Sequence, residues 1–178
     1  YDHVNVWATE PAKTQFRFSR SPWLLGGKTA AEVIQHNVRI TTEAMQQRLN
    51  IKPDGFRTPG GSSAGLDQRE DLQKLFQSEG FQWDSSKYPR HKYSEPGTEP
   101  QQEIFDSIQA AQRSAQPYVY PTGLVEIPMS PISDVGAFRT SRWKRKYFLK
   151  SVELCVQQAI EQKLVFDFLC HPSIMYVE

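Results

Sequence analysis

The segment that decides the fold lies near the end of the chain, where residues 164–172 read L-V-F-D-F-L-C-H-P. A short apolar run that is bounded by turn residues predicts a buried strand. Residues 141–163, just before it, repeat apolar residues at helical spacing, namely Phe148, Val152, Cys155, Val156, Ala159 and Ile160. A long amphipathic helix that leads into a buried strand is typical of a parallel α/β sheet.

The same alternation of helix and strand runs through the rest of the chain. Thr29 and Glu32 form a T-x-x-E capping box, which predicts the start of a helix that Asn50 ends. A strand, a helix and two further strands are predicted after it, over residues 55–58, 67–79, 81–84 and 124–128. This order predicts an α/β fold with a largely parallel sheet. We expect the 178 residues to form a single domain.

Two stretches interrupt this pattern. Residues 1–28 have no sustained period and predict a long, partly packed loop. Residues 85–117 are polar, and within them residues 101–114 predict a helix on the surface.

Composition narrows the range of partners. The formal net charge of +1 gives no general reason to expect nucleic-acid binding. No apolar run approaches the roughly 18 residues that a membrane span needs. Cys155 and Cys170 both lie in apolar stretches, which predicts two buried free thiols.

Three polar residues lie at or just past the end of a predicted strand, which is where catalytic and binding residues gather in α/β folds. An imidazole at His171 suits a general acid. A guanidinium at Arg57 can hold a carboxylate through two hydrogen bonds. Asp84 suits either a substrate contact or a cap on the turn that follows it. For each of them a structural role at the end of a strand is the alternative.

Two further features bear on function. Gly60 and Gly61 follow Arg57 and allow a ligand to approach the backbone, whose N–H groups could face an oxyanion. A basic run precedes the long helix, with Arg139, Arg142, Lys144, Arg145 and Lys146. Basic residues at a helix N-terminus oppose the macrodipole. The run predicts a solvated face, with contact to an anionic polymer as the alternative.

Several segments together resemble the polysaccharide deacetylases with a NodB-homology domain, the carbohydrate esterases of family four. Leu169-Cys170-His171 is similar to the final L-x-H motif of that family, and G-F-R-T-P-G-G at residues 55–61 to its R-x-P motif. Residues 75–86 resemble the helix, glycine and strand that follow. The resemblance implies a distorted (β/α)7 barrel that is incomplete at the N-terminus here, because no T-F-D-D-G-like segment is present.

The resemblance implies a metal-dependent hydrolase that removes N- or O-acetyl groups from a polysaccharide or another acetylated amino sugar. On that basis His171 is expected to be the general acid and Arg57 to orient an aspartate base. The substrate-binding residues that it implies are Gly60, Gly61, Trp83, Asp84 and Leu169.

The family also implies a divalent metal, with zinc favoured, which lowers the pKa of a bound water toward ~7. Tyr1-Asp2-His3 fits the tail of the H-[ST]-x-x-H metal motif, with His3 as its second ligand. A rival alignment over residues 5–11 puts Val6 and Glu10 in the ligand positions and predicts a weak or dead site. Because the chain holds at most one of the family's ligands, we expect it to be inactive by itself.

Two other functions stay open at this point. One is a noncatalytic carbohydrate-binding domain on the same fold. The other is a hydrolase of a non-peptide C–N bond in a small amide.

Overall fold

Short strands and helices alternate along residues 26–177, the part of the chain that the computed structural model describes. This confirms the predicted mixed α/β class. The described residues divide into two compact units. The first unit comprises residues 26–87 and 118–126, and the second comprises residues 88–117 and 127–177. The single domain over residues 1–178 stays a prediction.

The first unit contains two helices and a four-stranded sheet. The helices are α1 (Ala30–Leu49) and α2 (Glu70–Ser78). The strands are β1 (Gly55–Phe56), β2 (Trp83–Asp84), β3 (Tyr118–Val119) and β4 (Val125–Glu126). The sheet order is β1-β2-β4-β3, with β1, β2 and β4 parallel and β3 antiparallel to β4. The predicted strands are confirmed over shorter ranges, and β3 was not predicted.

Helix α1 begins and ends where the sequence predicts. The backbone N–H of Glu32 donates to Thr29 Oγ1 over 3.3 Å, and that of Thr29 donates to Glu32 Oε2 over 2.7 Å. Asn50 ends the helix in the left-handed conformation, with φ of 53°. Ile34 and Val38 are buried in a core that includes Leu72 and Phe76, whereas Leu49 is exposed. The apolar residues of α1 therefore face the core only in the first half of the helix.

The second unit contains three α-helices, a π-helix and a two-stranded sheet. The helices are α3 (Gln102–Ser114), α4 (Arg145–Gln162) and α5 (Pro172–Val177), and the π-helix covers Val135–Thr140. The strands β5 (Met129–Ser133) and β6 (Asp167–Leu169) pair in parallel. Its core includes Ile108, Ile132, Phe148 and Cys155.

Parts of the second unit differ from the sequence-based expectations. The predicted helix at residues 101–114 is confirmed, but it buries Ile104, Phe105 and Ile108 and so does not lie on the surface. Ile160 is exposed, which makes the buried face of α4 narrower than predicted. Cys155 is a buried free thiol as predicted, whereas the prediction of a buried Cys170 is wrong because that residue is exposed.

The strands of residues 26–177 form one four-stranded and one two-stranded sheet rather than a closed ring, and the barrel stays a prediction. None of the helices described here combines the length and the apolarity that a membrane span requires.

Candidate functional site

The topology of the second unit brings Asp134 and His171 together. Ser133 and Leu169 are register partners in the parallel strands β5 and β6. Asp134 directly follows Ser133, and His171 comes two residues after Leu169. Because neighbouring parallel strands end at the same edge of a sheet, the residues that follow them lie side by side.

Asp134 holds His171 through both its backbone and its ring. The imidazole Nδ1 lies 3.0 Å from Asp134 Oδ1 and 3.2 Å from Oδ2. The backbone N–H of His171 also donates to Oδ2, over 2.5 Å, and that of Val135 donates to Oδ1 over 2.8 Å. The Asp134 side chain is 0% exposed, whereas that of His171 is 49% exposed. One buried carboxylate thus meets three donors and presents a half-exposed imidazole.

This pairing determines what the imidazole can do. An ionised carboxylate only accepts hydrogen bonds, so Nδ1 must carry a proton. Nε2 has no hydrogen-bond partner among residues 26–177 and is left to exchange a proton with a bound molecule. The neutral ring accepts a proton there and the charged ring donates one, which is general acid–base chemistry with a carboxylate as the orienting group.

A second layer of hydrogen bonds fixes the end of β5. Tyr88 Oη donates to the carbonyl of Pro131 over 3.1 Å and lies 2.9 Å from Ser133 Oγ. The N–H of Gly136 donates to the same Ser133 Oγ over 3.1 Å. Burial raises the pKa of Tyr88 to about 12, so its hydroxyl stays neutral at physiological pH. These contacts hold the residues on both sides of Asp134.

Asp84 occupies a very different environment in the first unit. It and Glu126 are register partners in the parallel strands β2 and β4, and both are fully buried. Their side chains therefore leave neighbouring strands on the same face. Burial and then the adjacent charge of Glu126 raise the pKa of Asp84 to about 9. Asp84 is thus protonated at neutral pH.

Hydrogen bonds show why the proton stays on Asp84. Glu126 accepts from the backbone N–H groups of Ser86 and Lys87, over 3.0 and 2.8 Å, and from Tyr120 Oη over 2.7 Å. Asp84 accepts from Ser86 Oγ over 2.6 Å and from the backbone N–H of Ser85, whereas its Oδ2 meets no donor. A proton turns that oxygen into a donor, which the carboxylate of Glu126 can accept.

The buried pair supports the loop that follows β1. Ser86 Oγ accepts the backbone N–H of Thr58 over 2.8 Å, and the carbonyl of Ser86 accepts that of Ser62 over 3.0 Å. Asp84 presents no exposed atom to a substrate in this structure. Its contacts agree with the alternative given above, a structural role at the end of a strand.

Arg57 and the two glycines after it lie in that loop. Arg57 Nε donates to the carbonyl of Ser85 over 3.0 Å, and Nη2 donates to Ser85 Oγ over 2.8 Å. Gly60 and Gly61 have φ of 83° and 57°, which favours glycine. The N–H of Gly61 donates to the carbonyl of Thr58 over 3.3 Å and so closes the turn. The catalytic and substrate roles of these residues stay predictions.

Trp83 is partly exposed and covers Gly55, its register partner across β1 and β2. A Cβ atom at Gly55 would lie 2.0 Å from the indole ring, so only glycine fits beneath it. Leu169 is half-buried at the end of β6. Neither placement tests the expected substrate contacts.

The expected site residues are thus divided between the units. The first unit holds Arg57, Gly60, Gly61, Trp83 and Asp84, and the second holds Leu169 and His171. The expected metal ligand His3 lies outside the described residues, as do Val6 and Glu10. Within residues 26–177, no three His, Cys, Asp or Glu side chains group as metal ligands. The sequence interpretation did not include Asp134 or Glu126.

Comparison of the chain with protein-family models, with curated proteins and with solved structures gives no match.

Proposed function

We propose that this chain belongs to a hydrolase that removes acetyl groups from a polysaccharide, in the manner of the NodB-homology deacetylases that its motifs resemble. The observation that carries the proposal is the pairing of the buried Asp134 carboxylate with His171 at the carboxyl ends of two parallel strands. That pairing gives the histidine of the L-x-H motif the orienting partner that a general acid needs.

The proposed role of His171 follows from the proton balance of amide hydrolysis. Water adds to the acetyl carbonyl, the C–N bond breaks, and the products are acetate and an amine. The departing nitrogen needs a proton, because an amide anion is too basic to leave. The charged imidazole supplies that proton from Nε2, and Asp134 stabilises the charge and holds the ring. An O-acetyl group would leave as an alcohol by the same transfer.

The proposal includes a divalent metal, with zinc favoured, and His3 as one of its ligands. The residues between 26 and 177 do not supply a ligand set for it.

The fold that the proposal expects is a distorted (β/α)7 barrel. Parallel pairing supports it in each unit by itself, since β1, β2 and β4 are parallel to one another, as are β5 and β6. Helices α2 and α4 each lead into one of these strands, β2 and β6, as in βα units.

Acetate release from N-acetylated chito-oligosaccharides tests the function in the natural gene product that contains these 178 residues. Because general acid catalysis contributes about 10²–10⁴-fold, His171→Ala should lower kcat at least about 100-fold. His36→Ala is the matched control, since it removes an exposed imidazole from helix α1 of the first unit. Unchanged turnover in His171→Ala would refute the proposed role.

Small cyclic amides, assayed in parallel, separate the two remaining functions. Hydrolysis of those amides alone would move the function to a non-sugar C–N bond. Binding of the oligosaccharides without any acetate release would favour a noncatalytic carbohydrate-binding domain.

A further inference from the structure

A cluster of exposed cations spans the junction of the π-helix and α4 in the second unit. The cluster, here called the basic loop, comprises residues 139–146 and contains Arg139, Arg142, Lys144, Arg145 and Lys146, all exposed. No acidic residue occurs between Asp134 and Glu153, although the whole chain has a net charge of only +1. Positive charge is thus concentrated on one short segment.

Nearby Asp and Glu side chains neutralise little of this positive charge. In the described part of the chain, the ion pairs of the basic loop are limited to Lys146 with Glu99, at 3.8 Å between exposed groups. Lys146 Nζ also lies 4.6 Å from the centre of the Tyr147 ring. An exposed pair of this length contributes little to stability. Glu99 also attracts Lys144, but one carboxylate beside five cations leaves most of the positive charge of the loop available to a partner.

Hydrogen bonds fix the backbone that presents these cations. The N–H of Ser141 donates to the carbonyl of Gly136 over 3.0 Å, and that of Trp143 to Ala137 over 2.9 Å. Trp143 Nε1 donates to Ser94 Oγ over 2.7 Å. The buried residues Ser141 and Trp143 therefore anchor the loop, and exposed cations precede and follow them in the sequence. Little ordering is needed when an anionic partner binds.

Two features of the basic loop oppose the stability of the fold. Arg142 has φ of 51°, and a left-handed conformation costs a non-glycine residue stability. The first turn of α4 contains no acidic residue, and Lys144 provides no side-chain cap. Cations at that end oppose the helix macrodipole, whereas a bound anion is favoured by both the dipole and the cations.

We propose that the basic loop is a binding surface for an acidic polysaccharide, a polymer that carries carboxylate groups. Arg139, Arg142 and Arg145 have planar guanidinium groups that can hold a carboxylate through two hydrogen bonds. The one aromatic side chain of the loop, Trp143, is 4% exposed, so the loop has no stacking platform for nucleic-acid bases. Residues 139–146 also expose no apolar side chain that could insert into a membrane.

The loop is joined directly to the candidate site. Asp134 accepts the N–H of Val135 at the start of the π-helix, and Arg139 lies near the end of the same helix. One six-residue helix thus connects the carboxylate that holds His171 with the first cation of the loop. The inference deepens the proposed function and rests on it in this respect: the acetylated polymer that the site acts on carries acidic groups.

Binding of the 178-residue chain to polygalacturonate, measured by titration calorimetry at low and at physiological salt, tests the inference. The fully methyl-esterified polymer, which has the same backbone without the charge, is the control ligand. We expect binding to the acid form, weakened by salt, and no binding to the ester. No binding to the acid form at low salt, or equal binding to the ester, would overturn the inference.

Two glycine substitutions distinguish a specific contribution of the basic loop to binding from the effect of removing one positive charge elsewhere in the chain. Arg142→Gly removes one cation of the loop and also relieves its left-handed backbone, so it does not unfold the chain. Lys163→Gly makes the same change at φ of 55°, at the other end of α4, about 27 Å away. Arg142→Gly should weaken binding about fivefold and Lys163→Gly should leave it unchanged. Equal weakening by both would contradict a role for the loop.

The assay also identifies the partner class. Tighter binding to duplex DNA or to anionic lipid vesicles, at the same concentration of charge, would overturn the assignment to a polysaccharide. Because binding requires no catalysis, failure of the deacetylase proposal and failure of this inference are distinguishable.

Discussion

Replacement of Asp84 with asparagine should change how the stability of the chain depends on pH. In the native state Asp84 keeps its proton up to about pH 9. In the unfolded chain an aspartate ionises near pH 4. Between these values the native state binds one proton more than the unfolded state, so stability falls as pH rises. The stabilising contribution of the proton is complete below about pH 4 and is lost as pH rises through the native pKa.

The size of the effect follows from linkage. One extra proton in the native state lowers the free energy of unfolding by about 1.4 kcal/mol per pH unit, or about 3 kcal/mol between pH 5 and pH 7. Asparagine removes this dependence because it does not titrate. Its oxygen can still accept from Ser86 Oγ, and its amide can donate to Glu126 without a bound proton. Asp84→Asn should therefore be more stable than the wild type at pH 7, with a smaller advantage at pH 5.

Urea unfolding followed by circular dichroism, at intervals from pH 5 to pH 8, measures this difference. Asp54→Asn is the control, because it removes an exposed carboxyl close to the same sheet and changes the net charge equally. Parallel curves of unfolding free energy against pH for wild type and Asp84→Asn would refute the argument that Asp84 is protonated.

Two other substitutions test packing and the candidate site. Gly55→Ala places a Cβ atom 2.0 Å from the indole of Trp83, so the ring must move. We expect the free energy of unfolding to fall by about 1–3 kcal/mol and the near-ultraviolet circular dichroism spectrum to change. An unchanged spectrum would contradict the packing of Trp83 on Gly55. Asp134→Asn leaves one acceptor oxygen where the carboxylate meets three donors. The free energy of unfolding should fall by about 1–3 kcal/mol, and the ring-nitrogen signals of His171 should shift in long-range ¹H–¹⁵N spectra because the partner of Nδ1 has lost its charge; unchanged His171 signals would contradict the pairing.

The four longest helices, α1 to α4, could be predicted because their signals are local, whereas the short π-helix and α5 were not predicted. The capping box of Thr29 and Glu32 and the left-handed Asn50 give both ends of α1 from the sequence. Strand β5 was missed for a physical reason. Its sequence, M-S-P-I-S, contains two serines and a proline and does not alternate, yet all five residues are buried. Proline donates no hydrogen bond and is rare inside a strand, so tertiary burial decides the structure here.

The candidate site was only partly predictable. His171 follows a recognisable apolar strand, which is a local signal. Asp134 follows the unrecognised strand β5, so its position at a strand end could not be foreseen. The pairing depends on the parallel register of Ser133 with Leu169, which joins residues more than thirty positions apart in the chain. Periodicity within one element contains no information about such a register.

Asp84 and Asp134 show that a position at the end of a strand does not by itself decide the chemistry of a carboxyl group. Both are fully buried aspartates beside parallel strands. Asp134 meets two backbone N–H groups and an imidazole, which compensate for the loss of water around a negative charge. Asp84 meets one hydroxyl, one backbone N–H and a second carboxyl, so a proton is still needed to compensate for burial. A position at a strand end therefore identifies both aspartates as candidates for a functional role. The hydrogen-bond donors that the surrounding loops supply determine which of the two stays ionised and can orient a histidine.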